Sequence, residues 1–134
     1  MNPVVHFELP YANRERAERF YAQAFGWNTQ FLGPAMGDYV LVTTVDPAAP
    51  TRLPAGGING GLFPRKPDWP AQHPSVVIGV ADIAGAMTAV RDAGGEVLGE
   101  PMAIPGVGDY VSFLDTEGNR ISILQPSMEK ETQP

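Results

Sequence analysis

Cysteine is absent from this chain of 134 residues. That removes a disulfide framework, a thiolate metal site and a cysteine nucleophile together. Long apolar runs are missing too, and none reaches the roughly 18 residues that a membrane span requires. The start, Met1-Asn2-Pro3-Val4-Val5-His6, has no basic segment leading into an apolar stretch, so a signal peptide is not expected and the expected address is cytoplasmic. Basic residues are scarce, with nine Lys and Arg against fifteen Asp and Glu and a net charge of −6. An acidic domain without a basic, aromatic-laced stripe repels phosphate backbones, which excludes nucleic acid as a partner. A neutral or cationic small molecule, or another protein chain, fits better. No Gly-x-Ser-x-Gly, Walker or dinucleotide-binding glycine pattern is present.

Against these absences stand 43% hydrophobic residues, enough to fill a core, and an excess of 14 prolines and 15 glycines. Their placement is informative. Pro47, Pro50 and Pro54 form one cluster, and Pro64, Pro67, Pro70 and Pro74 form another. Proline at such spacing forbids a helix and disfavours a central strand, so 64–74 reads as an extended linker at mid-chain. The halves it separates repeat one another. Gly37-Asp38-Tyr39-Val40 recurs as Gly108-Asp109-Tyr110-Val111, 71 residues on, and Gly26 recurs as Gly95 at an offset of 69.

Each half carries the same run of elements. Val4–Leu9 alternates as a half-buried strand with Val5, Phe7 and Leu9 on one face and His6 and Glu8 on the other. Asn13 is placed to cap a helix whose apolar stripe is Ala17, Phe20, Tyr21, Ala24 and Phe25. Arg14, Glu15, Arg16, Glu18 and Arg19 then form its outer face, and Gly26 ends it. Strands are expected at 27–32, 39–46 and 57–63. In the second half a strand at 75–80 precedes a helix capped by Asp82, with Ile83, Ala86, Met87, Val90 and Ala93 as its stripe and Gly94-Gly95 as its stop. Strands at 96–102, 110–114 and 120–125 follow, the last two joined through Asp115-Thr116-Glu117-Gly118-Asn119.

This pattern resembles the vicinal-oxygen-chelate superfamily, which includes glyoxalase I, extradiol dioxygenases and the fosfomycin- and bleomycin-resistance proteins. The resemblance is carried by the first strand with His6, by Arg19-Phe20-Tyr21 and Phe25-Gly26-Trp27, by Ala93-Gly94-Gly95-Glu96-Val97, and by Asp115 through Gln125. It implies an α+β fold in which two βαβββ modules form a curved mixed sheet with a concave cup, commonly as a homodimer. The expected organisation is one domain over 1–126, with module one at 1–63, the linker at 64–74, module two at 75–126 and a flexible tail at 127–134.

Members of that superfamily that are enzymes hold a divalent metal in the cup with one residue from each of four strands. By resemblance the first position is His6 and the last is Gln125. The other two fall at or beside Gly61 and at Ser75, where no good ligand stands. Internal symmetry agrees, since His6 repeats as Ser75. His6, Glu8 and Gln125 are therefore the candidate donors for Zn, Fe, Ni or Mn, and the set is incomplete. The alternative reading makes His6 a pocket histidine bonded to Glu8 or Gln125. His6 with Glu8 is also the candidate for metal-free acid–base chemistry.

Trp69 in the linker, the repeated Tyr39 and Tyr110, Ser75, and Asn59 in the glycine-rich stretch are the candidate ligand contacts. Gly56–Gly61 reads as a strand that admits close approach of a ligand or of backbone. Three functions remain open: a small-molecule-binding protein with a degenerate metal site; a metal-dependent lyase, isomerase or dioxygenase; and a non-catalytic dimeric interaction module.

Overall fold

A computed structural model of the chain describes residues 1–46, 48 and 56–127. The first proline cluster and the end of the tail, 128–134, lie outside the described residues. The chain divides into two compact units, one running His6–Pro74 and the other from Ser75 onward together with Met1–Val5. Each is a βαβββ module of the α+β class.

The first module contains β1 (Val4–Tyr11), α1 (Arg14–Phe25), β2 (Asn28–Phe31), a 3-10 turn at Pro34–Met36, β3 (Val40–Thr43) and β4 (Gly60–Pro64). Its strands lie in the order β2-β3-β4-β1, with β1 parallel to β4 and the other pairs antiparallel. The alternation read from the sequence holds in β1 for Phe7 and Leu9, which with Tyr11, Ala17 and Trp27 surround buried Val40, Val42 and Leu62, whereas Val5 is exposed. His6 and Glu8 consequently lie on the opposite face.

The second module contains β5 (Ser75–Gly79), α2 (Ile83–Asp92), β6 (Glu96–Ile104), β7 (Gly108–Leu114) and β8 (Arg120–Pro126). Its order is β5-β8-β7-β6, with β5 parallel to β8. Of the expected helical stripe, Ile83 and Met87 are buried among Val80, Val111, Phe113 and Ile123 with Ala86 and Val90 packed against them, whereas Ala93 is exposed as the C-cap. Pro3 at the chain start accepts from the Gly79 N–H, tying the first residues to β5. The turn after β7 closes on Asp115, whose Oδ1 accepts from the N–H groups of Glu117 and Asn119, while Gly118 takes the left-handed conformation at φ 81°.

Helix α1 departs from expectation. Asn13 caps it by accepting from Arg16 N–H and Gly26 ends it at φ 74°, but the aromatic stripe is not its buried face. Phe20 is 57% exposed and Phe25 65%, and no residue of α1 is fully buried. The half-buried positions are Arg14, Ala17, Glu18 and Tyr21, with Arg14 and Glu18 turned from the outer face toward β2. The reason is a polar seam. Glu18 accepts from Arg14 and from the Thr29 hydroxyl, and the Arg14 guanidinium lies 3.8 Å from the centre of the Phe31 ring. Phe20 instead makes edge contacts with both Tyr21 and Phe25.

Helix α2 departs in its cap. Asp82 sits at the N-cap position but its side chain caps nothing; Gln125 Oε1 accepts the Ile83 N–H at 2.8 Å. A glutamine 42 residues away can end a helix only because β8 passes beneath it, which local sequence rules do not see.

Candidate functional site

His6 and Glu8 stand two apart on β1 and therefore share the face turned away from α1. What meets them there is Tyr39. The 3-10 turn leaves Gly37 and Asp38 at positive φ, 66° and 57°, and Tyr11 donates to the Asp38 carbonyl at 2.7 Å. Burial, with Asp38 beside it, pushes the Tyr11 hydroxyl up, so it stays a donor. The chain is thereby delivered into β3 with the Tyr39 ring crossing the sheet over Gly61, which pairs directly with Glu8. A Cβ at Gly61 would overlap the Tyr39 hydroxyl and ring, so glycine is required there by a neighbouring side chain. The strand expected from Gly56 begins only at Gly60, and the close approach expected of a ligand or of backbone is made instead by side chains: Tyr39 lies over Gly61 and Phe7 over Gly60.

The Tyr39 hydroxyl donates to Glu8 Oε2 at 2.8 Å and lies 3.0 Å from His6 Nε2. Three titratable side chains are thus joined in one hydrogen-bonded chain, with Glu8 only 6% exposed. Burial holds the His6 imidazole below its ordinary range, so it is neutral at pH 7.

The other nominated residues have different surroundings. Asn59 Oδ1 accepts from the N–H groups of Thr44 and Val45, bracing the start of β4. Trp69 lies in the linker with the Lys66 ammonium 4.5 Å from its ring centre, and Gln72 ties the linker back to both the N–H and the carbonyl of Lys66. Ser75 opens β5 in the second unit. Tyr110, also there, lies 2.7 Å from the Ser122 hydroxyl, which lies 2.9 Å from that of Ser112. Gln125 spends its side-chain oxygen on α2.

These residues do not fit a metal of the kind the superfamily uses. The module-one ligand position at Gly61 is covered by the Tyr39 ring, and the oxygen of Gln125 is committed to a helix end. Among the described residues no three His, Asp or Glu side chains gather where an ion would be held. The sequence singles out Tyr39 only through the repeat, and nothing in it couples this residue to His6 and Glu8. The one legible hint was a glycine-rich strand following an aromatic turn. A shallow depression of about 400 Å³ between Tyr11, Asn13, Arg16, Phe20 and Arg65 lies at the start of α1 and contains none of the nominated residues.

The family model of the Glyoxalase/Bleomycin resistance protein/Dioxygenase superfamily matches residues 4–123, and this chain belongs to that superfamily. A glyoxylase-like domain-containing protein of Didymella fabae is 31% identical over 119 residues, covering 87% of this chain and 88% of that protein. Among solved structures, methylmalonyl-CoA epimerase from Mycobacterium tuberculosis superposes with a TM-score of 0.65 at 12% identity, covering 97% of this chain and 91% of its own. A superfamily member from Vibrio splendidus superposes at 0.59 with 15% identity, covering 93% of this chain and 99% of its own. At these identities the structural neighbours establish the fold and leave the chemistry to the site.

Proposed function

We propose that this chain binds a small organic molecule on the sheet face that carries His6, Glu8 and Tyr39, as a glyoxalase/bleomycin-resistance-like protein whose metal site is degenerate. The observation that carries this reading is the Tyr39 ring lying over Gly61 and bonded to both His6 and Glu8. The side chains a metal would need are engaged with one another, which leaves hydrogen bonding to an organic ligand as the chemistry this face can offer. His6, Glu8 and Tyr39 are its contact residues. The reading extends to a cytoplasmic homodimer, supported by the exposed Phe20 and Phe25 on α1, a face that a second copy would cover.

Native mass spectrometry of the purified protein, paired with elemental analysis, tests this. The expected result is a retained organic ligand, or a thermal shift with members of a small-molecule panel, and less than a tenth of an equivalent of divalent metal. One equivalent of tightly held Zn, Fe, Ni or Mn that is lost in His6→Ala would overturn it in favour of a metal-dependent lyase, isomerase or dioxygenase. Light scattering at twice the chain mass checks the dimer.

A further inference from the structure

The hydroxyl of Tyr39 has one proton, and its geometry assigns it to Glu8 Oε2. The same oxygen therefore meets His6 Nε2 as an acceptor, which requires the proton of the imidazole to sit on Nε2. In a neutral imidazole the remaining nitrogen, Nδ1, then carries the lone pair. No described residue bonds to Nδ1, and His6 is half-exposed. Burial, which disfavours the imidazolium, keeps that lone pair available at neutral pH.

We propose that Tyr39 is a positioning residue that locks His6 in its Nε2–H tautomer and makes Nδ1 a metal-free proton acceptor for a ligand bearing an acidic hydroxyl. The ligand half rests on the small-molecule reading above, whereas the tautomer half stands on the free protein. The proton finally rests on the Glu8 carboxylate, and so weak a base matches acidic hydroxyls far better than aliphatic alcohols. In the transfer, the ligand O–H bond breaks and an Nδ1–H bond forms. The Nε2 proton moves to the Tyr39 oxygen while the Tyr39 proton moves to Glu8 Oε2. The ligand is left as an oxyanion, His6 neutral as its Nδ1–H tautomer, and Glu8 as a neutral acid. The charge of the site with its ligand is unchanged, so the relay avoids creating a buried ion pair. Gly61 takes part indirectly, because only glycine leaves room for the ring.

Long-range proton–nitrogen NMR of the imidazole on the free, chelator-treated protein at neutral pH tests the tautomer. The wild type should show Nδ1 as the unprotonated nitrogen. Tyr39→Phe should shift His6 toward a mixture of tautomers, and Glu8→Gln, which keeps an acceptor for Tyr39, should preserve the wild-type pattern. A wild type with the proton on Nδ1, or a folded Tyr39→Phe protein with an unchanged pattern, overturns the proposal. 4-Nitrophenol, whose ionisation is visible in its absorbance, probes the ligand half. Titration should move the Nδ1 resonance and raise the ionised fraction of bound probe, and Glu8→Gln should reduce that fraction at least tenfold. Unmoved Nδ1 at saturating probe overturns the ligand half while leaving the binding of other small molecules to be decided by mass spectrometry.

Discussion

Tyr39 and Tyr110 are the same residue of a repeated unit, yet they sit in different chemistry. Each precedes or lies on the third strand of its module and reaches toward the strand that pairs in parallel with the module's first. In module one Glu8 pairs with Gly61, and in module two Val77 pairs with Ser122. The positions answering His6 and Glu8 are Ser75 and Val77. Tyr110 accordingly meets the hydroxyl of Ser122, which in turn meets that of Ser112, while Tyr39 joins a carboxylate to an imidazole. A hydroxyl chain rigidifies a sheet; a chain that joins a carboxylate to an imidazole is the arrangement on which the proton relay proposed above rests. The scaffold occurs twice in the chain, and only the first copy carries the His–Glu pair at these positions.

The helices diverge in the same sense. Helix α2 buries Ile83 and Met87 in a conventional core, whereas α1 is held through Ala17, the stack of Tyr21 on Trp27 and the Arg14–Glu18–Thr29 seam. The largest expected test of that contrast is Met87→Ala, which should lower unfolding free energy by about 2–5 kcal/mol through the cavity it leaves. Phe20→Ala on the exposed face of α1 should cost less than about 0.5 kcal/mol. Equal losses in urea denaturation would erase the distinction.

Next in size, Gly61→Ala should cost about 1–3 kcal/mol because the added methyl expels the Tyr39 ring, and tyrosine fluorescence or NMR should report the ring in a new environment. Ser122→Ala at the matching place of module two removes only hydroxyl bonds, each worth about 1 kcal/mol, and should leave the Tyr39 and His6 signals unmoved. Gln125→Ala should cost about 0.5–2 kcal/mol, the range for loss of a helix cap, with faster amide exchange confined to the first turn of α2. Exchange unchanged at Ile83 would show the glutamine cap to be idle.

The smallest effect concerns pH. The folded state holds the His6 pKa below its unfolded value near 6.5, so in that window the unfolded chain binds the proton more readily. Stability from this source is complete above about pH 6.5 and falls as pH drops through the lowered folded value. His6→Ala should flatten this part of the slope in melts compared between about pH 7.5 and pH 5. Module two has no histidine, so a retained slope would place the titration elsewhere.

Much of this architecture is legible in the sequence. The period of two in Val4–Leu9 put His6 and Glu8 on one face, the spacing of Ile83, Met87 and Val90 gave the core side of α2, and the Gly-Asp-Tyr-Val repeat announced two modules. Those signals are local, and backbone geometry alone enforces them. The face of α1 was not legible, because Phe20 and Phe25 have the period of a core stripe and only the short, polar β2 opposite them decides that Arg14 and Glu18 turn inward instead. The cap of α2 was equally hidden, since it comes from another strand.

The site divides the same way. Alternation along one strand determined that His6 and Glu8 point together, and the absence of cysteine with glycine at 61 determined that a metal set would be short. That Tyr39 fills the gap was decided by tertiary structure. The turn at Gly37-Asp38 and the pairing of Glu8 with Gly61 bring a side chain 31 residues distant within hydrogen-bond reach. Sequence spacing says which face a residue takes; only the folded register of strands says which residue stands across from it.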